Sequence, residues 1–107
     1  MTEPGSYRPT SRSYERRYPY VYRRHLFDKL RSLDLPLGVF QALLGAGEVI
    51  AEAMEDALET KELVLLVDWR IPLHVVIAVD VARQEERLVT VYEPDPEQWT
   101  ADLRRRR

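Results

Sequence analysis

The side chains best suited to proton transfer in this sequence are two histidines, His25 and His74. Imidazole ordinarily has a pKa near neutrality, so a histidine can donate or accept a proton at physiological pH. The chain has no cysteine, which excludes a thiolate nucleophile, a disulfide and a Cys-ligated zinc site within it. Two histidines far apart in sequence form a zinc site only with carboxylates, and no local spacing indicates one. We therefore predict no metal site and no cofactor.

His74 lies near the start of the apolar, β-branched run 73–81, which is followed by a charged connection and a second such run, 88–92. Val and Ile favour strands, so the two runs predict an antiparallel hairpin. Strand alternation then separates two faces. One face carries Leu73, Val75, Ile77 and Val79, and the other carries His74, Val76, Ala78 and Asp80. We expect this strand to be central, which leaves His74 as either a core residue or a catalytic one.

His25 lies on a helix predicted over residues 22–32, beside an apolar stripe that includes Leu26 and Leu30. Lys29 follows one turn after His25. A second helix is predicted from Pro36 to the glycines at 45 and 47, which makes an αα-hairpin.

The remaining elements are less uniform. Residues 48–62 are rich in good helix formers, and propensity favours a helix, although a strand could begin directly after Gly47. Residues 63–69 predict a strand. Near the end, Asp95 as N-cap and Pro96 in the first turn predict a C-terminal helix anchored by Trp99 and Leu103.

Positive charge is concentrated at the two ends of the chain. Residues 1–25 carry six Arg against two Glu, and four Arg end the sequence, whereas residues 26–103 hold 6 Lys or Arg against 16 Asp or Glu. Basic ends on an acidic body suit RNA, an anionic surface or an acidic partner. The alternatives are that these charges serve solubility or that the ends fold back on the body.

Residues 1–20 interleave Arg with four Tyr and show no regular apolar period. We predict a flexible Arg/Tyr-rich tail over 1–20 and a single α+β domain over 21–107. Interleaved Arg and Tyr can stack on bases and pair with phosphates, or can bind a partner protein.

No apolar run approaches the roughly 20 residues of a membrane span. Residues 1–6 lack the apolar segment of a signal peptide. We therefore predict a cytoplasmic protein with no membrane partner, for which a homo-oligomer is possible.

The segments 72–76 (PLHVV) and 89–96 (VTVYEPDP), followed by Trp99, resemble the bacterial family called domain of unknown function 4258. Members of that family usually begin with a His-x-x-x-Arg helix and a glycine followed by Glu-Val-Ile. These features correspond here to His25 with Lys29 and to residues 47–50. The resemblance covers roughly residues 25 to 105. The chain departs from the family at Lys29 and Leu33, where arginines are usual, and over residues 54–60.

The resemblance implies an α+β fold in which an N-terminal αα-hairpin packs on a four-stranded antiparallel sheet with a C-terminal helix. It also favours a strand over residues 48–53. This order of elements is similar to the RelE-like group of small endoribonuclease toxins. Family members are often encoded beside a small zinc-binding antitoxin, so the resemblance implies that partner, with RNA or the ribosome as target.

A metal-free ribonuclease needs a base for the ribose 2′-OH, an acid for the leaving 5′-oxygen and cations around the phosphate. We assign the acid and base to His74 and His25. Lys29 is then the predicted phosphate stabiliser, and Tyr92 orients the ribose or donates a proton. Phosphate contacts supply affinity without sequence preference. The residues predicted to hold the RNA backbone are Arg70, Arg104, Arg105, Arg106 and Arg107.

Two functional hypotheses follow. The first is a toxin-like RNA-binding protein, in its strongest form a metal-independent endoribonuclease of a toxin–antitoxin pair. The alternative is a non-catalytic interaction module that docks a partner through the Arg/Tyr-rich tail and the Arg-rich C-terminus. Under the first hypothesis His25 and His74 face one concave, positively charged surface. Under the second, at least one of them is buried or remote.

Overall fold

The computed structural model describes residues 7–107 of the chain. The first six residues of the predicted tail, which are also those predicted not to form a signal peptide, lie outside the described residues. The elements in chain order are β1 (Arg8–Ser13), β2 (Tyr20–Tyr22), α1 (Arg24–Ser32), α2 (Leu37–Leu44), β3 (Glu48–Asp56), β4 (Glu59–Leu66), β5 (Leu73–Asp80) and β6 (Glu85–Tyr92). None of the helices formed by residues 7–107 is long and apolar enough to cross a membrane.

The strands form one mixed sheet of six strands in the order β1-β3-β4-β5-β6-β2. Neighbouring strands are antiparallel except β2 and β6, which are parallel. The predicted four-stranded antiparallel sheet with an N-terminal αα-hairpin is therefore wrong. Strands β3 to β6 form an antiparallel centre, but β1 and β2 extend it at both edges and precede the two short helices.

The hairpin of β5 and β6 is confirmed, and its side-chain alternation defines two faces of the sheet. Leu73, Val75, Ile77 and Val79 are buried against α1 and α2 on what we call the helix face. The opposite face, here called the pocket face, carries a smaller apolar cluster built around Ile50, Leu63, Leu65 and Trp99. The sheet thus has one face covered by helices and one face left partly open.

Strand β3 forms where propensity favours a helix. Its residues pair with β1 on one side and β4 on the other, and Val49, Ile50, Ala51 and Ala53 are buried. Helix propensities differ by less than about 1 kcal/mol per residue among ordinary residues. Burial and pairing on both sides outweigh that preference, so the strand favoured by the family resemblance is the observed structure.

The predicted C-terminal helix is also wrong. The backbone carbonyl of Asp95 accepts the N–H groups of Gln98 and Trp99, which closes only one turn. The side chains of Thr100 and Asp102 then accept nearby backbone N–H groups. Such local bonds compete with helix continuation, and the chain folds back over the pocket face instead.

Residues 14–19, which we call the strap, cross the helix face from β1 at one edge to β2 at the other. The Tyr14 hydroxyl donates to the buried carboxylate of Glu86 at 2.6 Å, and the backbone N–H of Arg17 donates to the same carboxylate at 2.6 Å. The Arg17 guanidinium donates to the buried Glu62 at 2.9 Å. The described part of the predicted tail, residues 7–20, is therefore integrated into the fold.

Candidate functional site

A concave pocket of about 930 Å³ lies on the pocket face. Its floor contains Ile50 and Ala51 of β3, Leu63 of β4 and Val76 of β5. Side chains from α1 and from the C-terminal segment also line it. This volume falls in the range of pockets that bind small ligands and single nucleotides, and an apolar floor is typical of them.

Three aromatic side chains, Tyr7, Tyr92 and Trp99, line the pocket beside this floor. Burial raises the pKa of Tyr92, and the nearby Tyr7 adds to the increase while Arg106 opposes it. The Tyr92 hydroxyl therefore remains protonated and keeps its ability to donate a hydrogen bond. The half-buried rings of Tyr7 and Tyr92 provide surface on which a base can stack, whereas Trp99 is buried and has the Arg106 guanidinium 5.5 Å from its ring centroid.

Positive charge surrounds the pocket although the chain has a net charge of −2. The lining contains the cationic side chains of Lys29, Lys61, Arg104, Arg105 and Arg106, against the carboxylates of Glu93 and Asp95. An excess of cations in a concave site concentrates positive potential there and favours an anionic ligand.

Some of these cations already have partners. Arg104 donates to Glu48 at 2.7 Å, and this bond lowers the pKa of Glu48 and raises that of Arg104. The ammonium of Lys61 is 3.3 Å from Glu55. By contrast, the side chains of Lys29 and Arg105 have no ion pair among residues 7–107.

The α1 side of the pocket brings His25 close to Thr90 of β6. His25 is exposed, and its Nε2 atom is 3.1 Å from the Thr90 hydroxyl. Lys29 lies one turn further along α1 and also lines the pocket. Two of the predicted functional residues are thus adjacent and open to a ligand.

His74 is fully buried and does not line the pocket. Its Nε2 donates to the carbonyl of Leu103 at 2.9 Å, and its ring packs edge-on against Trp99 and Tyr92 at centroid distances of 4.5 and 5.7 Å. Burial lowers the pKa of His74 to about 4, although the bond to Leu103 acts in the opposite direction. His74 is therefore neutral near pH 7 and packs beneath Tyr92 and Trp99, two of the aromatic side chains that line the pocket.

Because His74 is covered, the two histidines do not face a common surface, and the predicted acid–base pair is not assembled. His25, Lys29 and Tyr92 line the pocket, whereas His74 lies underneath it.

The predicted phosphate-binding arginines also separate into two groups. Arg104, Arg105 and Arg106 line the pocket. The guanidinium of Arg70 instead lies 4.5 Å from the Trp69 ring centroid and donates to a backbone carbonyl at the end of α1. Arg107 donates to the carbonyl of Pro96. Neither Arg70 nor Arg107 lines the pocket.

Lys61 is a pocket residue that the sequence interpretation missed. It lies on β4, two residues before Leu63, so both side chains point to the pocket face. The alternation of Lys61, Leu63 and Leu65 indicates this position, but Lys61 lies in the segment 48–62, in which helix propensity obscures the strand pattern.

Comparison with known proteins gives no match for this chain among family models, curated proteins or solved structures. The resemblance to the domain of unknown function 4258 therefore remains a prediction from its motifs. Within residues 7–107, no group of three His, Asp or Glu side chains is arranged to hold a metal ion.

Proposed function

We propose that this protein binds single-stranded RNA in the pocket on the open face of its sheet. The observation that carries the proposal is one pocket that combines an apolar floor, three aromatic side chains beside that floor and five Lys or Arg side chains. RNA single strands offer both matching surfaces, because bases stack on aromatic and apolar groups while phosphates pair with cations.

The charge distribution supports an anionic ligand at this place rather than elsewhere. The chain as a whole carries a net charge of −2, so positive charge is not a general property of it. The pocket lining has five cations against Glu93 and Asp95, and three of the five, Lys29, Arg105 and Arg106, have no ion pair among residues 7–107. This local excess of unpaired cations would attract phosphate groups to the pocket.

The composition of the pocket favours unpaired bases. Its apolar floor and the cations Lys29 and Arg105 belong to one concave site, so a ligand that offers both an exposed base and a phosphate can contact both. In an RNA duplex the bases are stacked and paired inside the helix, whereas bases of a single strand can turn outward.

RNA cleavage is a separate question from RNA binding. Of the two histidines, only His25 lines the pocket, so acid–base chemistry at this site would depend on His25 with Tyr92 rather than on His74. A toxin-like endoribonuclease that is neutralised by a zinc-binding antitoxin rests on the family resemblance. A cytoplasmic location and an RNA or ribosome partner belong to the same proposal.

The alternative docking role of the Arg/Tyr-rich segment has less support. Arg12 and Arg17 donate to Glu62 within the fold, and Tyr14 donates to Glu86. These side chains would have to leave their buried partners before they could bind another protein.

The proposal is tested by fluorescence anisotropy of labelled single-stranded RNA, with Arg105→Gln compared with Arg31→Gln. Arg105 lines the pocket without an ion pair among the described residues, whereas Arg31 is exposed on α1, pairs with Asp28 and lies outside the pocket. Removing one phosphate contact should weaken binding roughly three- to tenfold and reduce the salt dependence by about one ion. The Arg31 variant should bind like the wild type.

Equal effects of the two substitutions, or no RNA binding by the wild type, would refute the pocket as an RNA site. Gel analysis of the same mixtures in EDTA tests cleavage. Products that disappear with His25→Ala but persist with Arg31→Gln would add ribonuclease activity to RNA binding.

A further inference from the structure

We propose that the pocket recognises a phosphomonoester at the end of an RNA strand through a subsite formed by His25, Lys29 and Thr90. This inference rests on the proposed function for its RNA ligand, and it adds the chemical nature of the strand end. We call the three residues the terminal-phosphate subsite.

The three side chains lie together at one side of the floor. His25 and Lys29 are four residues apart on α1, a spacing that places them on the same side of a helix. The Nε2 atom of His25 is 3.1 Å from the Thr90 hydroxyl. Thr90 pairs in the sheet with Val76, which belongs to the floor. A base on the floor would therefore have its phosphate within reach of these groups.

The subsite also has positive charge that is free to meet a ligand. At the C-terminal part of the pocket, Arg104 is held by Glu48, and on β4 Lys61 is near Glu55. Lys29 has no ion pair among residues 7–107. The nearest carboxylate on α1, that of Asp28, pairs with Arg31 rather than with Lys29.

A phosphomonoester matches these groups better than an internal phosphodiester. A phosphodiester carries one negative charge, whereas a monoester carries about −1.5 to −2 at neutral pH and has three terminal oxygens. His25 and Thr90 are hydrogen-bonded to each other, so a phosphate must replace that bond before both side chains can donate to it. The ammonium of Lys29, one ring N–H of His25 and the hydroxyl of Thr90 then provide three donors, one for each terminal oxygen, and Lys29 supplies the positive charge that meets the monoester.

The test compares three RNA oligonucleotides of one sequence, with a 5′-phosphate, a 3′-phosphate or hydroxyl groups at both ends. We expect one phosphorylated form to bind the wild type about tenfold more tightly than the hydroxyl-ended form, as one or two charge-assisted hydrogen bonds would produce. Lys29→Gln should remove most of this ratio. Arg105→Gln should weaken binding of every oligonucleotide and leave the ratio unchanged.

Equal wild-type affinity for the three oligonucleotides would overturn the subsite while RNA binding stands. A preference that survives both Lys29→Gln and His25→Gln would overturn the assignment to these residues.

If no RNA binds, the proposed function fails, and titration with nucleoside monophosphates and the matching nucleosides decides the subsite. Trp99 lines the pocket, so its fluorescence in a Trp69→Phe background reports occupancy. A response to the monophosphate alone that Lys29→Gln removes would retain the subsite for free nucleotides. No response, or an equal response to the nucleoside, would overturn the subsite as well.

Discussion

The strap and the pocket both contain basic side chains, but the two regions use them differently. Near the strap, Arg12 and Arg17 donate to Glu62 at 2.6 and 2.9 Å. In the pocket, Lys29 and Arg105 have no carboxylate partner among the described residues. A buried carboxylate is costly unless it is paired, so the first set of cations is committed to folding. The second set remains available to a ligand.

This difference shows that the role of a basic stretch cannot be read from its sequence alone. Its role depends on whether the fold places a buried acid opposite it. Here Glu62 and Glu86 meet the N-terminal arginines, and among residues 7–107 no buried acid lines the pocket.

The largest effect should come from Glu86→Ala on the strap side. Glu86 is fully buried and accepts hydrogen bonds from the Tyr14 hydroxyl and the Arg17 backbone, and burial together with this carboxylate raises the pKa of Tyr14 well above its usual value. Removing the carboxylate leaves these donors without their acceptor. We expect the free energy of unfolding, measured in urea, to fall by roughly 4 kcal/mol.

Glu52→Ala is the matched control. Glu52 is a carboxylate that pairs with Arg12, and unlike Glu86 it has about a third of its side chain exposed. Exposed ion pairs contribute up to about 1 kcal/mol, so the control should stay within that range. Similar losses in the two variants would contradict the view that the strap depends on buried carboxylates.

A somewhat smaller loss of stability is expected when the pH is lowered, and it comes from His74, the buried histidine beneath the pocket. Burial lowers its pKa in the folded protein to about 4, from an ordinary value of 6.5. Above pH 6.5 His74 is neutral in both the folded and the unfolded protein, and its contribution to the free energy of unfolding is fully present. As the pH falls towards 4, the unfolded chain takes up the proton before the folded protein does, so the free energy of unfolding decreases. One unit of pKa shift corresponds to about 1.36 kcal/mol, so we expect a loss of roughly 3 kcal/mol.

The measurement is urea denaturation of the wild type and His74→Gln between pH 7 and pH 4. The glutamine does not titrate, so the stability difference between the two proteins should shift by that amount across this interval. A difference that stays constant with pH would mean that His74 does not titrate as a buried residue. It would then lose its assigned role as a support for Trp99.

Much of the sheet centre was predictable because its signal is local. The alternation of Leu73, Val75, Ile77 and Val79 correctly predicted one buried face of β5. His74 on the opposite face was correctly placed too, but alternation does not reveal whether something covers that face. The C-terminal segment does so through Trp99 and Leu103, and its helix-like start concealed this arrangement.

The sheet edges could not be predicted because their partners are distant in sequence. Strand β2 has only three residues and pairs in parallel with Glu86, Arg87 and Leu88 of β6. A strand this short has no periodicity to detect. The strap depends likewise on Tyr14 meeting Glu86, a contact that no local pattern of polar residues indicates. The pocket was partly predictable, since the chemistry of His25, Lys29 and Tyr92 indicates a functional role. Their common surface depends on α1 lying beside β6, where His25 meets Thr90, and no local pattern in the sequence indicates that contact.

The smallest expected effect is the difference in RNA binding between substitutions of Arg104 and of its neighbour Arg105. Both line the pocket, but Arg104 donates to Glu48 through two nitrogens. Because this pair is partly exposed to solvent, Arg104→Gln should cost less than about 1 kcal/mol of stability. It should also weaken RNA binding less than Arg105→Gln, because Arg104 must give up Glu48 before it can bind phosphate.

The two affinities, measured by anisotropy at one salt concentration, therefore test the distinction between paired and available cations within a single segment. Glu48→Gln provides the reverse experiment, since it releases Arg104 and should strengthen RNA binding. If Arg104→Gln weakens binding as much as Arg105→Gln, and Glu48→Gln changes nothing, then ion pairing does not decide which cations serve the pocket. The contrast with the strap would then rest on the burial of the acids alone.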